Sequence, residues 1–223
     1  MEVWLDTCDI NVVTEANRFG FIYGITTNPT ILASANEDPE TVLNQLLAIQ
    51  DGPITVQITA DNSDEMIKRA LGLRVFSDRI IIKIPVTQQG LVAIKNIRQE
   101  DIPVMATAVF SPTQALLAAL AGANYVASYF GRMIDGGIDA QATVQSILTI
   151  FRKHSFDTKL LVASLKTVDQ ISSCAEMGVD AITVKKTLFN EWVSDNDYTL
   201  DSLKTFAADW KARDQPKTSA LIL

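Results

Sequence analysis

Short runs of apolar and β-branched residues recur along this chain at fairly even intervals. Eight stand out: Val3–Thr7, Gly24–Thr27, Thr55–Thr59, Ile80–Val86, Val104–Phe110, Tyr125–Phe130, Lys159–Ser164 and Ala181–Val184. Most are too short and too β-branched for helices and read as strands. The stretches between them carry helix punctuation. Ser111-Pro112-Thr113-Gln114 combines an N-cap serine, a first-turn proline and a capping-box glutamine, and Thr167 to Gln170 is a second capping box. Gly20, Gly122 and Gly178 each end a helical run, as C-terminal caps do.

Strand and helix therefore alternate about eight times, the pattern of parallel strands joined by right-handed crossovers. This predicts an α/β fold, a (β/α)8 TIM barrel with residues 1–223 as one domain. A doubly wound open sheet is the rival, although no glycine-rich phosphate fingerprint follows the first strand. The end of the chain departs from the repeat. Leu200 to about Arg213 reads as an extra C-terminal helix, and the tail closes on Ala220-Leu221-Ile222-Leu223. An apolar terminus of this kind packs either on a neighbouring subunit or on its own chain.

One polar residue interrupts the most apolar run. Lys83 stands in Ile80-Ile81-Ile82-Lys83-Ile84-Pro85-Val86. Removing a lone ammonium from water costs several kcal/mol unless the group is paired or neutralised. A lysine neutral near physiological pH attacks carbonyls and forms Schiff bases. Lys83 is thus either a Schiff-base lysine or a paired structural charge. Strand alternation puts Ile80, Ile82 and Ile84 on one face and Lys83 on the other, toward the lumen.

Other polar residues collect at the predicted C-terminal strand ends, where barrels carry their chemistry. They are Asp6, Thr26 with Asn28, Gln57, Thr107, Tyr129 with Arg132, Ser164, and Lys185-Lys186. Each has a plainer reading. Asp6 could cap the following helix, Asn28-Pro29 could be a turn, and Thr107 and Ser164 could fill the lumen. Arg132 could pair with Asp135 or Asp139 on the surface. Cys8 near the mouth reads as a small buried residue rather than a nucleophile. His154 reads as exposed and Gly136-Gly137 as a flexible loop.

Composition narrows the classes. The formal charge of −7 on 223 residues disfavours nucleic acid and anionic membranes as partners. No apolar stretch is long enough for a membrane helix, and the acidic start is not a signal peptide. Two cysteines without a CxxC pattern suit a reducing cytoplasm. A single histidine argues against a His-rich metal site, and no metal is expected.

Several stretches together resemble the transaldolase family, in its small branch that includes the fructose-6-phosphate aldolases. They include Leu5-Asp6-Thr7, Gly24 to Ile31 with its Thr26-Thr27-Asn28-Pro29, Val56-Gln57-Ile58, Ile82 to Thr87, Gly90 to Lys95, Thr107 to Phe110 and Tyr125 to Tyr129. Gly131-Arg132, Ala163 to Thr167 and Asp209-Trp210 extend the match over nearly the whole chain. The resemblance implies a barrel, a Schiff-base mechanism without cofactor or metal, and sugar phosphates as ligands. It implies Lys83 as the condensing lysine, Asp6 as the proton-handling carboxylate, and Thr26 and Asn28 in the donor site. Arg132 and Ser164 would hold the phosphate, Arg through its planar fork. Tyr129, Gln57 and Thr107 would orient the catalytic water.

Members also form homo-oligomeric rings, so a pentamer or decamer is expected, with residues 200–223 reaching a neighbour. Gln57 and Tyr129 stand where transaldolases usually carry Glu and Phe. They favour a class I aldolase acting on fructose 6-phosphate or a similar ketose, yielding a dihydroxyacetone-type donor and glyceraldehyde 3-phosphate. Transaldolase of the pentose phosphate pathway is the alternative, and a non-catalytic sugar-phosphate-binding ring ranks below both. Cys8, Phe110 and Lys185-Lys186 depart from the family pattern.

Overall fold

The computed structural model describes residues 1–212. The tail Ala220 to Leu223 lies outside the described residues. In chain order the elements are β1 (Glu2–Asp6), α1 (Ile10–Asn17), β2 (Ile22–Thr26), α2 (Pro29–Ala33), α3 (Pro39–Ile49), β3 (Ile54–Gln57) and α4 (Ser63–Phe76). They continue with β4 (Ile80–Pro85), α5 (Gln88–Gln99), β5 (Val104–Val109), α6 (Pro112–Leu120), β6 (Tyr125–Tyr129), α7 (Phe130–Asp135) and α8 (Ala140–Lys153). The last are β7 (Lys159–Ala163), α9 (Val168–Met177), β8 (Ala181–Val184), α10 (Lys186–Trp192) and α11 (Asp197–Ala212).

The eight strands are parallel and close in sequence order, with β1 pairing β8 from Glu2↔Ala181 to Leu5↔Val184. Closure excludes the open doubly wound sheet and makes the (β/α)8 barrel the fold. The expected helix punctuation is in place. Ser111 Oγ and Thr167 Oγ1 accept from the amides of Gln114 and Gln170. Those glutamines reach back to the amides of Phe110 and Lys166, one residue before the cap. Gly20, Gly122 and Gly178 adopt φ of +73°, +92° and +74°, the left-handed region open to glycine.

Strand alternation sorts the core into two layers. Trp4, Ile81, Met105, Tyr125, Ala127, Leu161, Ala163 and Ala181 pack together on the lumen side. Ile80, Ile82 and Ile84 are fully buried on the other face of β4, toward the helices. Helix α5 buries Gly90, Ala93, Ile94 and Ile97, a stripe at helical spacing.

The N-terminal end of the barrel is closed by a polar cluster. Glu2 accepts from Trp4 Nε1 (3.2 Å), Tyr125 OH (3.0 Å) and Lys159 Nζ (2.5 Å). The pairing of β5 with β6 is irregular between Ala106 and Val109, where Ala108 has φ of +58°. Opposite Val109, Ser128 Oγ is buried without a hydrogen-bond partner among the described residues.

The chain divides into a compact unit Met1–Phe189, which holds the barrel, and a second unit beginning at Asn190. Within the second, α11 begins at Asp197, three residues before the predicted start, and has no buried residue. Leu203 and Phe206 are 57% and 65% exposed.

Candidate active site

Lys83 lies on β4 one residue pair above Ile81, with its side chain in the lumen. It is 4% exposed. Its Nζ donates to the backbone carbonyl of Thr27 at 3.2 Å. Among the described residues it has no carboxylate within ion-pair distance. No ion pair among the described residues therefore supports reading Lys83 as a paired structural charge. Burial pushes its pKa below the ordinary lysine value; the Asp6 carboxylate opposes this and the Arg132 guanidinium adds to it.

A cavity of about 190 Å³ opens above Lys83. Asp6, Asn28, Tyr129, Arg132 and Ser164 line it with Lys83, so six of the nine expected site residues meet there. The other three belong to the strands around it. Thr26 is fully buried and donates from Oγ1 to Asp6 Oδ1 at 2.8 Å. Thr107 Oγ1 lies 2.8 Å from Tyr129 OH. Gln57 is the in-register neighbour of Lys83 across β3 and β4.

The plainer readings resolve by geometry. Asp6 caps no helix: Asp9 is the N-cap of α1 and accepts from the amides of Asn11 and Val12. Asn28 is more than a turn residue, because its side chain caps α2 by accepting from the Ile31 amide, with Pro29 next in the first turn. Asp135 and Asp139 leave Arg132 alone. Asp135 pairs with Lys166 at 2.5 Å, and Asp139 caps α8. Arg132 instead lies 4.9 Å over the Tyr129 ring, which Phe110 meets edge-on at 5.6 Å between centroids. Cys8 is half-buried rather than buried as expected; its thiol donates to the Ile31 carbonyl and burial raises its pKa, which disfavours the thiolate. His154 is exposed.

Two features lay outside the sequence reading. Thr183 Oγ1 lies 2.6 Å from Thr26 Oγ1. Because Thr26 gives its proton to Asp6, Thr183 must donate to Thr26, forming a relay of hydroxyls from β8 through β2 to the carboxylate on β1. The signal was a lone threonine alternating with Ala181 on the lumen face of the last strand. Second, Gly131 N–H donates to the carbonyl of Ser164 at 3.1 Å. A Cβ on Gly131 would stand 2.0 Å from that oxygen. Ser164 itself has φ of +64°, a strained conformation for a non-glycine residue. The contact pins the start of α7, and so Arg132, to the end of β7.

Chemically, the site offers a buried amine of lowered basicity, one carboxylate held by a hydroxyl relay, and a phenol beside a hydroxyl. A guanidinium and a serine flank the mouth. No group of three or more His, Cys, Asp or Glu among the described residues is placed to hold a metal.

The model of the family described as Transaldolase/Fructose-6-phosphate aldolase matches residues 3–219. The chain belongs to that family. It is 37% identical over 214 residues to a protein of Coprothermobacter proteolyticus named probable transaldolase, covering 94% of this chain and 96% of that one. A probable transaldolase 1 of Listeria monocytogenes is 36% identical over 212 residues, with 95% and 99% covered. One from Thermoplasma volcanium is 35% identical, with 95% and 96% covered. Among solved structures, thiamine phosphate pyrophosphorylase from Pyrococcus furiosus aligns with a TM-score of 0.57 at 17% identity, over 93% of this chain and 96% of that one. A mandelate oxidase mutant aligns at 0.58 and 12% identity, over 94% and 72%. These two likenesses concern the barrel alone. No helix among the described residues of this family member is long and apolar enough to cross a membrane.

Proposed function

We propose that the protein is a Schiff-base aldolase of this family, acting on fructose 6-phosphate or a similar ketose phosphate. The observation that carries the reading is Lys83: buried, bonded to a neutral carbonyl, without a carboxylate partner, at the floor of a polar cavity. Its neutral amine adds to the C2 carbonyl and expels water, leaving an iminium that acts as the electron sink. Asp6 takes the proton of the C4 hydroxyl as the C3–C4 bond breaks, and the aldehyde leaves. The bonding pair becomes an enamine on C3. A water oriented by Tyr129, Thr107 and Gln57 supplies the proton to C3. Hydrolysis of the iminium then releases dihydroxyacetone and restores Lys83. Thr26 and Asn28 position the donor, and Arg132 and Ser164 take the phosphate. Borohydride with dihydroxyacetone is expected to leave a reduced adduct on Lys83; an unmodified Lys83 would refute the mechanism.

A second reading keeps every step to the enamine but passes it to a second aldehyde, making the protein a transaldolase. The names of its relatives favour this. The phenol and the amide at Tyr129 and Gln57 favour protonation. Incubating fructose 6-phosphate with and without erythrose 4-phosphate separates the two, because turnover that needs the acceptor means transfer. The proposal extends to a cytoplasmic enzyme, which suits the free thiols Cys8 and Cys174. It also extends to a ring of five or ten subunits, to which the exposed Leu203 and Phe206 of α11 lend support. Light scattering on the purified protein checks the subunit count, and a monomer would refute it.

A further inference from the structure

The wall that the Lys83 cavity shares with a larger neighbouring cleft carries a cation that none of these steps uses. Lys185 follows β8 directly, as Ser164 follows β7, and Arg132 lies in α7 after β6. These strands are neighbours in the barrel, so the three groups rise from successive strand ends, about 5 Å apart at strand level. Lys185 is exposed and lines both the Lys83 cavity and the outer cleft of about 760 Å³, whereas Lys186 lines the outer cleft alone.

Most neighbouring charges are already committed, and Asp6, which lines both cavities, accepts from Thr26. Lys166, two residues beyond Ser164, is tied to Asp135. In the outer cleft, Asp9 caps α1 and Glu37 accepts from Gln45. Lys185 makes no ion pair among the described residues. A phosphate monoester is close to a dianion at neutral pH, and Arg132 supplies only one positive charge. Loops after the seventh and eighth strands are a frequent phosphate seat in barrels of this type.

We propose that Lys185 supplies the second charge: it binds the phosphate end of the substrate beside Arg132 and Ser164, and sets the preference for phosphorylated over unphosphorylated aldehydes. The kinetic consequence rests on the Schiff-base reading; the anion seat does not.

The test uses Lys185→Met and Lys186→Met, both exposed positions where folding is checked by thermal melts. The binding probe is sn-glycerol 3-phosphate, a phosphate ester with no carbonyl, followed by calorimetry. Lys185→Met should weaken it about tenfold, the worth of one charge-assisted hydrogen bond, and Lys186→Met by no more than about twofold. In aldol addition to dihydroxyacetone, kcat/KM for glyceraldehyde 3-phosphate should fall similarly in Lys185→Met, while that for glyceraldehyde holds. Undiminished glycerol 3-phosphate affinity in Lys185→Met overturns the proposal. So does absence of binding by the unmodified protein, or an equal loss with both aldehydes. Binding that depends on Lys185 in a protein that forms no borohydride adduct would remove the Schiff-base reading and leave the anion seat standing.

Discussion

Replacing Gly131 with alanine tests how the proposed phosphate side of the site is held. The added methyl would sit 2.0 Å from the Ser164 carbonyl oxygen, 3.1 Å from Ser164 Oγ and 3.2 Å from Lys166 Cε. The Lys166 end can swing away, but the carbonyl belongs to the backbone at the end of β7. Reaching ordinary contact requires the start of α7 and the β7 terminus to part by roughly 1 Å or more. That displacement breaks the Gly131 N–H to Ser164 O bond, which stands at 3.1 Å. Overpacking of this kind costs about 1–3 kcal/mol and the lost bond about 1 kcal/mol, so a loss of about 2–4 kcal/mol is expected in urea denaturation. The same parting moves Arg132 away from Ser164, and a misplacement of about 1 Å can cost on the order of a hundredfold in turnover. Lys83 sits on β4, away from this contact, so the variant should still form its borohydride adduct with dihydroxyacetone while kcat/KM for fructose 6-phosphate collapses. A Gly131→Ala protein with unaltered stability and unaltered kcat/KM would refute the reasoning. Loss of the adduct at full stability would refute the separation of the two halves.

Four further outcomes follow from particular contacts. Lys83→Met should abolish activity yet stabilise the fold by roughly 1 kcal/mol or more near neutral pH. The folded pKa of Lys83 lies below its unfolded value, so the unfolded chain binds more protons between the two. Wild-type stability from this group therefore rises with pH across that window, and the advantage of Lys83→Met should shrink toward pH 10; urea melts across pH showing a constant or widening gap would contradict this. Glu2→Ala removes the acceptor of Trp4, Tyr125 and Lys159 and should cost about 1–3 kcal/mol in melts with kcat unchanged, since the cluster lies at the far end of the barrel from Lys83. Ser128→Ala deletes a buried hydroxyl without a partner and should raise stability by about 1 kcal/mol; a fall in Tm would mean that Oγ is satisfied. Tyr129→Phe removes the hydroxyl 2.8 Å from Thr107 and should slow hydrolysis several-fold more than transfer to an added aldehyde, as product ratios would reveal; equal loss of both would refute its role in protonation.

The barrel was legible because each strand is a short apolar run, and the lumen position of Lys83 followed from alternation on β4. Strand edges were less legible. Strand β1 starts at Glu2 because it pairs with Ala181 and binds three lumen donors, none of which a local pattern displays. The run Tyr125–Phe130 was too long by one residue because Phe130 already opens α7. That helix starts directly from the strand at Tyr129 with no side-chain cap, so no punctuation marks it. Helix α2 had a visible signal in Asn28-Pro29, a cap followed by a first-turn proline, which also reads as a turn when only five residues follow. Within the site, six of the nine expected residues line one cavity. What joined them did not show: Thr183 and Thr26 lie 157 residues apart, and only barrel closure between β8 and β1 brings their hydroxyls together.

The lumen gives Lys83 the surroundings that the proposed Schiff-base role requires. At the lower end, Glu2 and its three donors form a satisfied polar plug. Above it, Trp4, Ile81, Met105, Ala127 and Leu161 make an apolar layer. Lys83 stands on top of that layer, so the amine has no polar floor to solvate its charged form, and its one bonded neighbour among the described residues is a neutral carbonyl. The carboxylate that could have restored its charge, Asp6, is committed through Oδ1 to Thr26, itself held by Thr183. Arg132 adds a like charge. The phosphate of a bound substrate would neutralise that guanidinium and remove part of what lowers the lysine's pKa. A second cation at Lys185 limits this effect, keeping positive potential at the mouth while the phosphate is bound. On this account Lys185→Met should raise the pH at which Lys83 condenses with phosphorylated ketoses more than with dihydroxyacetone. Adduct yield against pH for the two ligands measures that difference, and parallel shifts would sink the coupling.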